Sequence, residues 1–141
     1  MPSTLKKLKT KHDELVEHLR GVRYIVINAA HGGFGLSKQA RLNYLARARI
    51  EYTEQEQDDR HTQAWAGSKI IVNNTVFHDC DIDRDDPALV SVVREMEQQE
   101  PGSANGLYAE LKIVKIPADV HWEIAEYDGW EWVAEKHRTW H

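Results

Sequence analysis

Residues 121–140, "HWEIAEYDGWEWVAEKHRTW", hold the stretch that most constrains the fold: Asp128-Gly129 between two runs of alternating apolar and polar residues. An Asp-Gly pair accepts the positive φ angles of a two-residue turn, so this pattern is a strong short-range signal for a β-hairpin. Such a turn also fixes the register. It sets Tyr127 opposite Trp130, Ala125 opposite Trp132, Ile124 opposite Val133 and Glu126 opposite Glu131. Like charges facing each other destabilise a hairpin. The glutamate pair must therefore be fully solvated or meet a cation or donor.

The rest of the chain alternates strand and helix signals. "VRYIVINAA", 22–30, is β-branched and nearly continuous in hydrophobicity, as in a strand covered on both faces. Ser37 is placed to cap a helix running to about residue 50, with Ala40, Tyr44, Leu45 and Ala48 on one face. "KIIVNNTVFHDCDI" reads as one strand or two around Asn73-Asn74, a turn pair. Asp86 and Pro87 open a second helix whose apolar face carries Leu89, Val93 and Met96. "LYAELKIVKIP" is a strand stopping at Pro117.

At the N-terminus, Leu5, Leu8, His12, Leu15 and Leu19 space an amphipathic helix over 3–20, with Gly21 as its stop; the expected segment is 1–21. Residues 51–68 are acidic and polar, read as helix end plus exposed loop anchored by Trp65. These elements imply a single α+β domain over 1–141. Its centre is a mostly antiparallel sheet of about five strands, ending in the Asp-Gly hairpin, with two to three helices packed on it.

Composition narrows the function. A net charge of -5 argues against sequence-independent binding to nucleic-acid phosphates. No apolar run approaches the roughly 20 residues that span a bilayer, and the first 21 residues do not read as a signal peptide. Cys80 is the only cysteine, which excludes an internal disulfide and fits a reducing cytoplasm. Five Trp and five Tyr suit ligand pockets and oligomer interfaces.

"HGGFGLS", 31–37, joins the first strand to the first helix. Gly32, Gly33 and Gly35 permit close backbone approach, and a helix N-terminus presents unpaired N–H groups to a phosphate or carboxylate. Ser37 and Lys38 would add a hydroxyl and a charge, and Phe34 could stack on a base. The other reading is a tight corner with Phe34 in the core. Arg84 stands among aspartates 81, 83, 85 and 86. Its guanidinium would grip an anion or be tied to neighbouring Asp. Lys136, His137, Arg138 and Trp140 interleave cations with an indole, as a phosphate-and-base site requires, or else form a solvated strand end. His31, and His78 with Cys80 two apart on a strand, read as structural rather than catalytic. The aspartates around them show no recognised metal-ligand spacing. No catalytic residue, metal or cofactor is expected.

Together "YIVINAAHGGFGLS", "RDDPALVSVV", "ANGLYAELKIVKIPADVHWEI" and "EYDGWEWVAEKHRTW" resemble a family of short proteins of tailed bacteriophages and large DNA viruses. The resemblance covers about 22–37, 82–93 and 104–140. It implies viral origin and carries over no active-site residue. Small viral proteins of this kind act on host systems by binding. The expectation is a homo-oligomeric counter-defence protein in the host cytoplasm that sequesters an anionic, nucleotide-derived signalling molecule. An alternative is inhibition of a host enzyme through the acidic surface, with Glu54, Glu56, Asp58 and Asp59. A further alternative is a small nucleotide hydrolase using Glu126, Glu131 or His31.

Overall fold

The computed structural model of the chain describes residues 21–55 and 69–140. The helix expected over 3–20 and residues 56–68 with Trp65 lie outside the described residues. In chain order the elements are β1 (Val22–Asn28), α1 (Lys38–Arg47), β2 (Thr53–Gln55), β3 (Lys69–Val72), β4 (Thr75–Val76), α2 (Pro87–Gln99), β5 (Leu111–Pro117), β6 (Trp122–Tyr127) and β7 (Trp130–Glu135). A single 3₁₀ turn, Asp79–Asp81, precedes α2. No helix among the described residues is long and apolar enough to cross a membrane.

The fold is α+β, with every strand pair antiparallel. The strands do not form one sheet, however. They divide into β1–β5, β2–β3–β4 and β6–β7. The break between β1 and the hairpin has a local cause. On the edge of β1 away from β5, the Val26 N–H donates to the Arg84 carbonyl at 2.8 Å and the Asn28 N–H donates to Glu131 Oε1 at 2.7 Å. Backbone donors that would extend a ladder are satisfied by a loop carbonyl and a side chain. The hairpin therefore packs against β1 without joining its sheet.

The hairpin register is the expected one, with Glu126 opposite Glu131 and Tyr127 opposite Trp130. Asp128 and Gly129 take φ of 49° and 84°, and Asn73 and Asn74, at 51° and 62°, make the equivalent turn between β3 and β4. Ile25, Val26 and Ile27 of β1 are buried. α2 packs on both β1 and β5, and also against α1. The helix caps follow their sequence signals. Ser37 Oγ accepts the Ala40 N–H, Asp86 Oδ1 accepts the Ala88 N–H, and Pro87 sits in the first turn, where no N–H is needed. Leu89, Val90, Val92, Val93 and Met96 of α2 are buried, each worth roughly 1.5–3 kcal/mol in transfer free energy.

Three expectations are corrected. Residues 79–81 turn instead of continuing a strand, so His78 and Cys80 do not share a strand face. Asp81 Oδ2 accepts the His78 N–H at 3.0 Å, and such local side-chain bonds compete with ladder formation. Residues 53–55, read as loop, pair with β3, Thr53 opposite Ile71. The strand of "LYAELKIVKIP" begins only at Leu111, because the Glu110 and Leu111 N–H groups are taken by the side-chain oxygens of Asn28 and Asn105.

Candidate functional site

Four segments meet where β1 ends, and Asn28 organises them. It is fully buried. Its Nδ2 donates to the carbonyls of Ala30 and Gly129, both at 2.8 Å, and its Oδ1 accepts the Glu110 N–H at 2.9 Å. Its own N–H goes to Glu131. Every polar group of this side chain is thereby committed to holding the glycine loop, the hairpin turn and the approach to β5 together. A buried Asn is tolerated only when so satisfied.

Arg84 completes the arrangement. Its Nη1 and Nη2 donate to Oε1 and Oε2 of Glu131 at 2.7 and 2.8 Å, the two side chains being 16% and 7% exposed. Nη1 also reaches the Val26 carbonyl at 3.3 Å. The guanidinium carbon lies 3.5 Å from the centroid of the Phe34 ring, and that ring packs on the core. Arg84 is thus tied to an acid, as one of its two readings had it. The acid is Glu131, distant in sequence, rather than a neighbouring aspartate. Glu131 finds the cation that its place opposite Glu126 required, while Glu126 is exposed. The bidentate fork that would have taken an incoming anion already holds a carboxylate.

Amides at the two ends of the glycine loop are similarly occupied. The Gly32 N–H donates to Ala30 O at 3.1 Å, that of Leu36 to Asp79 Oδ2 at 2.9 Å, and that of Ser37 to Ala104 O at 2.9 Å. Ser37 Oγ donates to Ser103 O. Asp79 is itself held by Arg41, at 2.7 and 3.1 Å. A β-carbon on Gly32 would stand 2.3 Å from the Tyr108 carbonyl oxygen, and one on Gly129 only 2.6 Å from the Gly33 nitrogen. The hairpin turn therefore covers the amides of the loop at closest approach. Gly106 makes the same kind of contact with Gly35, a β-carbon there standing 2.7 Å from the Gly35 carbonyl carbon, and the Gly35 carbonyl accepts the Gly106 N–H. The loop is a backbone junction in which Gly32 is required for proximity and Gly33 for its φ of 86°.

The remaining sequence-derived residues lie apart. Lys38 is exposed at the start of α1. Lys136, His137, Arg138 and Trp140 are exposed beyond the open end of the hairpin, where the Lys136 N–H donates to His121 O and Arg138 lies 5.7 Å from the Trp140 ring. Six residues of strand place that end about 20 Å from the turn. The tail and the glycine loop are therefore not gathered into one pocket. His31 meets the edge of Trp130 at 5.3 Å between centroids. Cys80 is exposed. Among the described residues no group of three or more His, Cys, Asp or Glu is arranged to hold a metal ion.

A different place offers room. Between β1 and the start of α2 is a cleft of about 380 Å³, lined by Val22, Arg23, Tyr24, Asp85, Pro87, Val90, Ser91 and Arg94. The Arg94 guanidinium lies 4.6 Å over the Tyr24 ring. Arg23 reaches Asp85 at 3.3 Å, with 41% of its side chain exposed. A second, wider depression of about 690 Å³ is lined by Ile50, Glu51, Tyr52, Thr53, Ile71, Asn73 and Asn74, where Glu51 is the only charge and repels anions. Sequence reasoning passed over Arg23, Tyr24 and Arg94. Only the pairing of strand with helix brings them together, 94 being remote from 23 in the chain. Asn28 had no distinguishing signal, since an Asn after an apolar run reads as a strand end.

No protein-family model, curated protein or solved structure matches the chain.

Proposed function

We propose that the protein acts by binding: it sequesters an anionic, nucleotide-derived small molecule, as a viral counter-defence protein in the host cytoplasm, working as a homo-oligomer. The observation that carries this reading is the β1–α2 cleft, lined by two arginines, Arg94 over the Tyr24 ring and Arg23 beside Asp85. Its volume of about 380 Å³ falls in the range of ligand pockets, roughly 300–1,000 Å³. Arg94 supplies a planar fork for phosphate oxygens, Arg23, half exposed and held to Asp85 by a single 3.3 Å contact, a second once an anion displaces that carboxylate, and Val22, Pro87 and Val90 an apolar wall. The resemblance to viral proteins supports the setting. Hydrolysis has less support. Glu131 is bound to Arg84 and Glu126 stands in water, so the two carboxylates do not share a site.

The test is a thermal-shift and calorimetric screen of the full chain against ADP-ribose-type and cyclic nucleotides. A ligand at 100 times its Kd stabilises the fold by about 2.7 kcal/mol. The expected result is a shift with one of them that Arg94→Ala abolishes, the ligand being recovered unchanged. No shift with any compound at millimolar concentration overturns the reading. A shift that survives Arg23→Ala with Arg94→Ala moves the site elsewhere, and a ligand recovered altered makes the protein an enzyme.

A further inference from the structure

The two faces of the β6–β7 hairpin are set by its register. Glu131 and Val133, with their partners Glu126 and Ile124, lie on the face toward β1. Trp130 and Trp132, with their partners Tyr127 and Ala125, lie on the other. On that outer face Tyr127 is 72% exposed, Trp130 49% and Trp132 48%. Further exposed apolar residues lie beyond both ends. Beyond the turn, Tyr108 touches Gly32 beside His31 and Trp130, and it and Leu107 are each 65% exposed; beyond the open end Trp140 is 83% exposed.

The area is larger than a monomer ordinarily leaves uncovered. A large aromatic side chain presents roughly 150–250 Å², so these six residues expose on the order of 700 Å². The largest apolar patch on a typical monomer is about 300–600 Å², and each partner of a standard interface contributes about 800 Å². The composition, tryptophan and tyrosine without lysine at the centre, is that of an interface core.

We infer that this face is the dimer interface, covered by the same face of a second copy of the chain in antiparallel orientation. Two-fold face-to-face stacking of a hairpin has two arrangements, like ends together or opposite ends together. Asp128 lies at the turn, and Lys136 and Arg138 lie at the open end, all exposed. With like ends together, Asp128 meets Asp128 and the basic tail meets itself. With opposite ends together, each Asp128 meets the partner's cations, Trp132 stacks on Trp132 near the middle, and Tyr127 and Trp130 cover the partner's Ala134 end. Glu123, on the same face near the open end, is kept from its own copy and comes to the partner's turn, where Lys136 and Arg138 of its own end outnumber it against Asp128. Charge therefore selects the antiparallel pair, while the indole and phenol rings supply the affinity. The assembly does not depend on the ligand reading above, because the β1–α2 cleft lies on other elements.

The experiment is sedimentation equilibrium and light scattering on the full chain, without nucleotide, from 1 to 200 µM. The expected mass is twice 16.3 kDa. Trp132→Glu is expected to raise the dimer Kd at least a hundredfold, with an unchanged far-UV spectrum. Tyr127→Glu is a second variant at a more exposed site, should the first unfold. Lys136→Glu with Arg138→Glu should weaken the dimer about tenfold at low salt, and less at 0.5 M salt. A 16.3 kDa species throughout the range, or a dimer indifferent to both aromatic variants, overturns the interface. A dimer lost with the aromatic variants but unmoved by the charge reversal overturns the antiparallel orientation.

Discussion

The inner and outer faces of one hairpin carry opposite chemistry. Inside, Glu131 is 6% exposed and gives both oxygens to Arg84 and one to the Asn28 amide. Outside, one residue away on either side, Trp130 and Trp132 stand about half exposed. At this point of β7 the polar residue is in and the two flanking indoles are out, an inversion of ordinary strand patterning, although Trp122, Ile124 and Val133 share the inner face. Hydrophobicity alone thus does not decide which way this hairpin faces. Satisfaction of the unpaired edge of β1 does, together with an outer surface that has its own use.

The comparison breaks most visibly at the inner face. Glu131→Ala strands a buried arginine and is expected to cost about 3–5 kcal/mol, read as loss of urea stability. Replacing both partners, Arg84→Met with Glu131→Leu, should cost less than the sum of the single changes, because no unpaired charge remains. Next comes Gly129→Ala, which adds an atom 2.6 Å from the Gly33 nitrogen at a residue whose φ is 84°. A loss of about 2 kcal/mol is expected, with the β6–β7 amides losing hydrogen-exchange protection first.

A smaller effect comes from a polar contact remote from the hairpin. The Tyr44 hydroxyl donates to Asp86 Oδ2 at 2.7 Å. Burial, that hydrogen bond and the charges of Asp86 and Asp83 all push its pKa up. Tyr44→Phe should cost about 1 kcal/mol at pH 7. The sign with pH follows from linkage. The phenol is neutral in both states below the unfolded value of about 10; above it the unfolded chain ionises first, and stability falls as pH rises. The phenylalanine variant should lose less stability between pH 9 and 11. The smallest effect belongs to the outer face: Tyr127→Ser at monomer-forming dilution should change stability by no more than about 0.5 kcal/mol.

What could be read in the sequence was what is local. The Asp128-Gly129 turn fixed Glu126 against Glu131 and Trp130 against Tyr127, since two residues of turn leave no freedom of register. Ser37, Asp86 and Pro87 marked their helices through bonds spanning three residues or fewer. The need of Glu131 for a cation was legible as well, but its donor, Arg84, lies 47 positions away. The glycine loop was legible as a corner. Whether its amides were available depended on Asp79, Ala104 and Gly129, from three other segments, and no spacing within "HGGFGLS" carries that information. The single five-stranded sheet failed for the same reason: the edge of β1 ends on a side chain.

That side chain has a consequence for synthesis. The Asn28 amide is completed by a residue 103 positions later, which a ribosome adding about 5–20 residues per second reaches only some 5–20 s afterwards. Until then the nascent chain holds an unfinished strand edge and an unneutralised guanidinium. The hairpin, made well after β1 and Arg84, acts as a latch on both.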